Sequence, residues 1–296
     1  MQTRPALLLV LVLALLATGC ANRPNLSSGI TTETVLSLPP DVEVPAGDTA
    51  LLYPLSASPE ALSASPEGAK AQVEALVGQP LGEGEPGVSG TLYSLGQATV
   101  TIDQDTGYWT YETGQDIFSV DPSTLPPPLS DAQAQAIALD YLQTHGLWSG
   151  PMASVGVGPI TSGETGGDTI LGKNVYCFPA VDGAPVEGVF RIVVTLDPTG
   201  KVVTVHHLAA QPGQPREVPL KSRAQLASDL ARGNYSSNLY QTLTDPVVET
   251  CTLRLYADAT PVEEQTYLYP VYVLTGHGTM PDGTTEWFEV IVDAQA

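Results

Sequence analysis

The sequence predicts an α+β protein made of tandem modules, each with one short helix packed on an antiparallel β-meander sheet. Three observations point there. Segments with helix-start chemistry recur three times. Each is followed by runs of strand-type residues. Proline-rich stretches, "DPSTLPPPLS" at 121–130 and "AAQPGQPREVPLKS" at 209–222, separate the resulting units. Helices this short need a sheet to bury against, and helix followed by meander is an α+β plan.

The chain opens with "MQTRPALLLVLVLALLATGC". Arg4 supplies a short positive region, and 6–17 is an apolar run of signal-peptide length, too short to span a bilayer comfortably. The end of this run, Leu16-Ala17-Thr18-Gly19-Cys20, resembles the lipobox of bacterial lipoproteins. That resemblance implies cleavage after residue 19 and a diacylglycerol on Cys20, which anchors the chain to the membrane outside the cytoplasm. The plainer alternative is an ordinary secretory signal with Cys20 incidental. Residues 20–55 are polar, carry scattered Pro and show no helical period, so they are expected to form a flexible tether ending in a short strand near 50–53.

The first α+β unit is expected over 56–120. Ser65-Pro66-Glu67 opens its helix, with Ser as N-cap and Pro at the first helical position. Ala69, Val73, Leu76 and Val77 form the apolar stripe, and Gly78 ends it. Strands follow at 91–95, 98–103 and 108–112. The second unit, 128–212, opens with Ser130-Asp131-Ala132-Gln133, the spacing of a capping box. Its stripe is Ala134, Ile137, Ala138, Tyr141 and Leu142, closed by Gly146. Strands are expected at 153–157, 174–181, 189–197 and 201–208. The third unit, 213–296, repeats the box as Ser222-Arg223-Ala224-Gln225. Leu226, Ala227, Leu230 and Ala231 form the stripe, Gly233 closes it, and strands follow at 247–256, 266–275 and 286–293.

The second unit runs from the helix "LSDAQAQAIALDYLQTHG" to "YCFPAVDGAPVEGVFRIVVTLDPTGKVVTV", with a Gly-x-Pro-Val-x-Gly turn expected at 183–188. This order resembles the PepSY superfamily, which includes propeptide modules of thermolysin-like proteases. The third unit is similar in outline, with "YLYPVYVLTGHG" (267–278) also resembling accessory regulators of cell-wall sensor kinases. The resemblance covers residues 128–296. It implies a non-catalytic module that binds proteins or peptides and restrains enzymes or sensors.

Charge narrows the partners. With 11 basic and 32 acidic residues, the formal charge is −21. Such a surface repels nucleic acid and anionic lipid headgroups, and favours solubility and cationic partners. Beyond Cys20 there are two cysteines, Cys177 and Cys251. Outside the cytoplasm two thiols in a stable domain tend to pair, so a 177–251 disulfide is expected; two separately buried thiols are the alternative.

Catalytic and metal-binding patterns are weak. His206 and His207 are strand neighbours and point to opposite faces, so they cannot share a metal. His145 lies at a helix C-terminus, and His277 is expected in a turn between two glycines. There is no HExxH spacing, no Gly-x-Ser-x-Gly and no phosphate loop followed by Lys. Ser89 lies in a Gly/Pro-rich connector, and Glu263-Glu264 read as a solvated loop. Asp103, Asp105 and Gly107 suggest an ion-binding loop, but the bidentate position 12 falls on Gly114. The related Asp197-Pro198-Thr199-Gly200 has the residues of a type I turn, so both copies are read as β-hairpins. The candidate binding surface is the tyrosine group Tyr267, Tyr269 and Tyr272, with cross-strand packing as the alternative.

The expectation is a membrane-anchored extracytoplasmic lipoprotein without enzymatic activity, cofactor or metal. Its partner is expected to be an envelope protein or peptide. A structural or glycan-binding and small-ligand-binding lipoprotein is the alternative, and a hydrolase the third.

Overall fold

The computed structural model describes residues 23, 24, 26, 34–55, 66–88, 90–104, 107–162, 169–209, 212–257 and 267–296. These residues form a strand-rich α+β protein dominated by antiparallel sheet. The chain divides into two compact units. One is Leu52–Arg216 with Arg254–Leu268; the other is Met1–Leu51, Glu217–Leu253 and Tyr269–Ala296.

The larger unit opens with the second half of β1 (Thr49–Pro54) and with α1 (Pro66–Val77). Then β2 (Glu85–Gly87), β3 (Gly90–Leu95), β4 (Ala98–Ile102) and β5 (Trp109–Glu112) form an antiparallel meander. Next come α2 (Asp131–Thr144), β6 (Met152–Thr161), β7 (Ile170–Val181), β8 (Ala184–Gly188), β9 (Arg191–Leu196) and β10 (Val202–Leu208). β5 pairs with β10, so the antiparallel order runs β2-β3-β4-β5-β10-β9-β7-β6. The stretches 56–120 and 128–212, expected as separate units, therefore share one sheet. They also share one core: Ala69 and Val73 of α1 and Ala134, Ala138 and Leu142 of α2 are buried with Val100, Val175, Ile192 and Val205.

Local chemistry explains the helices. Ser130 caps α2 by accepting from Gln133 N, and the Gln133 side chain accepts in return from Ser130 N at 3.0 Å. Two orphan donors are thereby satisfied. Ser65, expected to cap α1, lies outside the described residues. The expected Gly-x-Pro-Val-x-Gly turn is corrected: the chain reverses earlier, at Asp182 and Gly183, and 184–188 is strand β8. Asp182 and Gly183 both have positive φ, 49° and 77°, as a two-residue hairpin turn matched to strand twist requires. β8 then pairs in parallel with Leu255–Ala257.

The smaller unit contains most of β11 (Arg216–Pro219), α3 (Arg223–Arg232), β12 (Ser236–Ser237) and β15 (Thr285–Asp293). It also holds the larger parts of β13 (Thr244–Ala257) and β14 (Tyr267–Thr279). Ser222 and Gln225 form the second capping box, and Gly233 ends α3 with φ 73°. The core joins Leu226 and Leu230 of α3 to Tyr272, Leu274, Phe288, Val290 and Val292.

This core also corrects the expected tether over 34–55, the part of 20–55 that is continuously described. Leu36 is fully buried in it and Val42 nearly so. The carbonyl of Thr34 accepts from Tyr235 Oη at 2.5 Å, and that of Val42 from Arg223 Nη1 at 2.6 Å. An irregular segment leaves no periodic signature, yet a few apolar side chains suffice to dock it. The expected short strand is β1.

Candidate functional site

Cys20 and residues 1–19, expected as a signal segment, lie outside the described residues, as do Ser89, Asp105, Glu263 and Glu264. Cys177 and Cys251 are buried free thiols, so the expected disulfide is corrected. Each faces a different core: Cys177 lies opposite Ile192 in the larger unit, and Cys251 packs with the Tyr272 and Leu274 cluster. Burial pushes each thiol up to about 11, with Arg223 opposing this weakly at Cys251. Both are inert by the usual criterion of thiolate content.

The tyrosine surface is corrected too. Tyr269 and Tyr272 are buried, and Tyr272 Oη donates to the Lys221 carbonyl at 3.0 Å. Tyr267 is half-buried, with the Arg216 guanidinium 5.7 Å from its ring centroid. These residues pack within the sheets rather than presenting a platform.

Most of the histidines and the turn aspartate serve the fold. His207 is buried, stacks on its cross-strand partner Trp109 at 4.9 Å and 7°, and places Nε2 3.0 Å from the Leu147 carbonyl. His206 turns to the opposite face, with Nδ1 3.0 Å from Thr110 Oγ1. His145 C-caps α2 and places Nδ1 2.9 Å from the Tyr141 carbonyl. Asp197 begins the β9–β10 hairpin, and Gly200 N donates to its carbonyl at 3.0 Å. Its carboxylate accepts from Thr199 N, Thr199 Oγ1, Lys201 N and Gln115 Nε2. The earlier copy also closes as a hairpin, with Gly107 N donating to the Asp103 carbonyl. Among the described residues no group of His, Cys, Asp and Glu is arranged to hold a metal.

The open chemistry lies on the smaller unit, on one face of the neighbouring strands β13, β14 and β15. Strand alternation turns Phe288, Val290 and Val292 into the core and Trp287, Glu289 and Ile291 the other way. Trp287 is 62% exposed, whereas Trp109 and Trp148 are at most 5% exposed. Its cross-strand partner is His277, with ring centroids 5.3 Å apart and a 53° tilt. His277 is therefore corrected from turn to strand; Gly276 and Gly278 flank it because the neighbouring chain comes too close for a side chain. A Cβ on Gly276 would lie 2.0 Å from the Val247 carbonyl oxygen.

His277 Nδ1 in turn lies 3.0 Å from Glu249 Oε1. The contact is not a hydrogen bond, and it is an ion pair only with a protonated ring. One step along, Glu289 lies opposite Thr275, whose hydroxyl is 2.7 Å from that of Thr250. The face thus offers an exposed indole, a neighbouring imidazole, hydroxyls and carboxylates. Sequence reasoning placed the strand but passed over Trp287; the alternation of "EWFEVIV" was the available signal.

No protein-family model and no curated protein matches this chain.

Proposed function

We propose that this chain is a non-catalytic lipoprotein of the bacterial envelope that binds a protein or peptide through the open face around Trp287. The observation that carries the reading is the 62% exposure of that indole on an ordered strand, beside His277 and Glu249. Tryptophan is enriched at the centres of binding surfaces, and this one stands on one sheet face with an imidazole and a carboxylate, which sets it apart from the exposed Phe118 and Tyr240. The structural contacts of His207, His206, His145 and Asp197 support a binding role over a hydrolytic one. The two capping boxes, each followed by antiparallel strands, support repeated PepSY-like modules as the architecture.

Two experiments test this. A photo-crosslinking residue at position 287 of the membrane-held full chain should give adducts with an envelope protein; one at exposed position 67 should not. Equal yields at both positions would overturn the reading. Membrane attachment rests on Leu16–Cys20, and Cys20→Ser should release the chain from membranes. Retention of the variant in the membrane fraction would refute lipidation at that residue.

A further inference from the structure

We propose that the Trp287 face recognises a cationic side chain, lysine or arginine, of a basic peptide. This rests on the face being a binding site and names what it binds. The first argument is composition. Residues 244–253, 269–279 and 285–293 contain no Lys or Arg, and His277 is their single basic side chain. The same stretches carry Asp245, Glu249, Glu286, Glu289 and Asp293. Arg23 reaches Asp293, but that residue sits at the far end of β15 from Trp287. These three strands therefore bring acidic groups, and no lysine or arginine of their own, to the surroundings of Trp287.

Geometry supplies the second argument. An indole face attracts a guanidinium or ammonium through its quadrupole, most strongly when a carboxylate lies nearby to complete the charge balance. Here the row runs Trp287, His277, Glu249 across three strands, with Glu289 and the Thr250–Thr275 hydroxyl pair adjacent. Glu249 meets His277 Nδ1 through Oε1 without a hydrogen bond, which leaves its carboxylate able to accept from a ligand. Phosphate-bearing ligands meet Glu249 and Glu289 and are repelled. The formal charge of −21 steers basic partners toward the whole molecule, while the indole gives this face its selectivity.

The test uses the full chain with Cys20→Ser, at near-physiological salt so that loose attraction is screened. An acetylated, amidated arginine tetrapeptide is the probe, with a glutamate tetrapeptide and a neutral chitin oligosaccharide beside it. Trp109 and Trp148 are buried, so the solvent-sensitive tryptophan emission belongs to Trp287 and reports where the ligand sits. The arginine peptide should shift that emission, and the other two should not.

Affinity is read separately by anisotropy of a labelled arginine peptide. Trp287→Ala should weaken it about tenfold, Trp287→Phe less, and Glu249→Gln about threefold. Asp140→Asn on α2, which changes net charge equally, should leave it unchanged. Equal losses for Glu249→Gln and Asp140→Asn, with none for Trp287→Ala, would reduce the effect to general attraction and overturn the proposal. An emission shift with the oligosaccharide alone would overturn the cation while leaving the face as a site. No shift with any of the three, together with equal crosslinking at positions 287 and 67, would overturn both.

Discussion

His207 lies flat against Trp109 with no room for a solvated imidazolium. Its Nε2 meets one carbonyl, and burial pushes its pKa down to about 4 from 6.5 despite that contact. The unfolded chain therefore binds a proton between these values that the folded chain refuses. Stability from this residue is fully present above pH 6.5 and is lost as pH falls toward 4, by roughly 3 kcal/mol at about 1.4 kcal/mol per unit. Urea unfolding at pH 7 and pH 4.5 should show the drop, and His207→Gln should flatten it; an unchanged slope in the variant would refute the assignment. Asp197 acts with the same sign at lower pH. Burial pushes its carboxyl up, but the bonds from Thr199, Gln115 and Lys201 together outweigh it and leave it below its ordinary value. Neither residue is a site. The adjacency of His206 and His207 already excluded a shared ligand set, because strand neighbours face opposite ways. The stack on Trp109 was not legible, since it requires the pairing of β5 with β10.

Elements were the most legible scale. Capping boxes at Ser130 and Ser222 can be read from four residues because the bonds close within one helical turn. Runs of β-branched, apolar and aromatic residues placed β4, β9, β14 and β15 for the same local reason. β8 escaped because Asp182-Gly183 was passed over for the later Pro-Val segment, although its positive φ pair is what an Asp-Gly dipeptide favours. Trp287 escaped at this scale too: its strand was clear, but its exposure depends on what covers each face. The spacing of β13 and β14 gives a prediction. Gly276→Ala forces a Cβ into the Val247 carbonyl, so the strands must part beside His277. It should destabilise the smaller unit by about 1–3 kcal/mol or more. Thermal unfolding followed with the full chain would show this, and a fully wild-type melting curve would contradict the packing.

At the scale of the whole chain, two cores take the place of three modules. The sequence periods showed where helices and strands lie but not which strand pairs with which. The pairing of β5 with β10 merges the first two expected units, and residues 34–51 join a core formed mainly by residues more than 180 positions later. The cysteines follow from this division. Each thiol lies in its own core, so the native protein should resist thiol reagents; in denaturant without reductant, Cys20→Ser chain should titrate two thiols. A count of zero would restore the bridge.

Helix starts and ends, strand alternation, hairpin turns and the acidic character were determined by the sequence itself, because each rests on residues within a few positions of one another or on composition. Which face of each strand is covered, whether the cysteines meet, whether the tyrosines are open and where the one exposed tryptophan stands were decided only by the tertiary structure. Those properties depend on contacts between segments far apart in the chain, whose pairing no local period encodes.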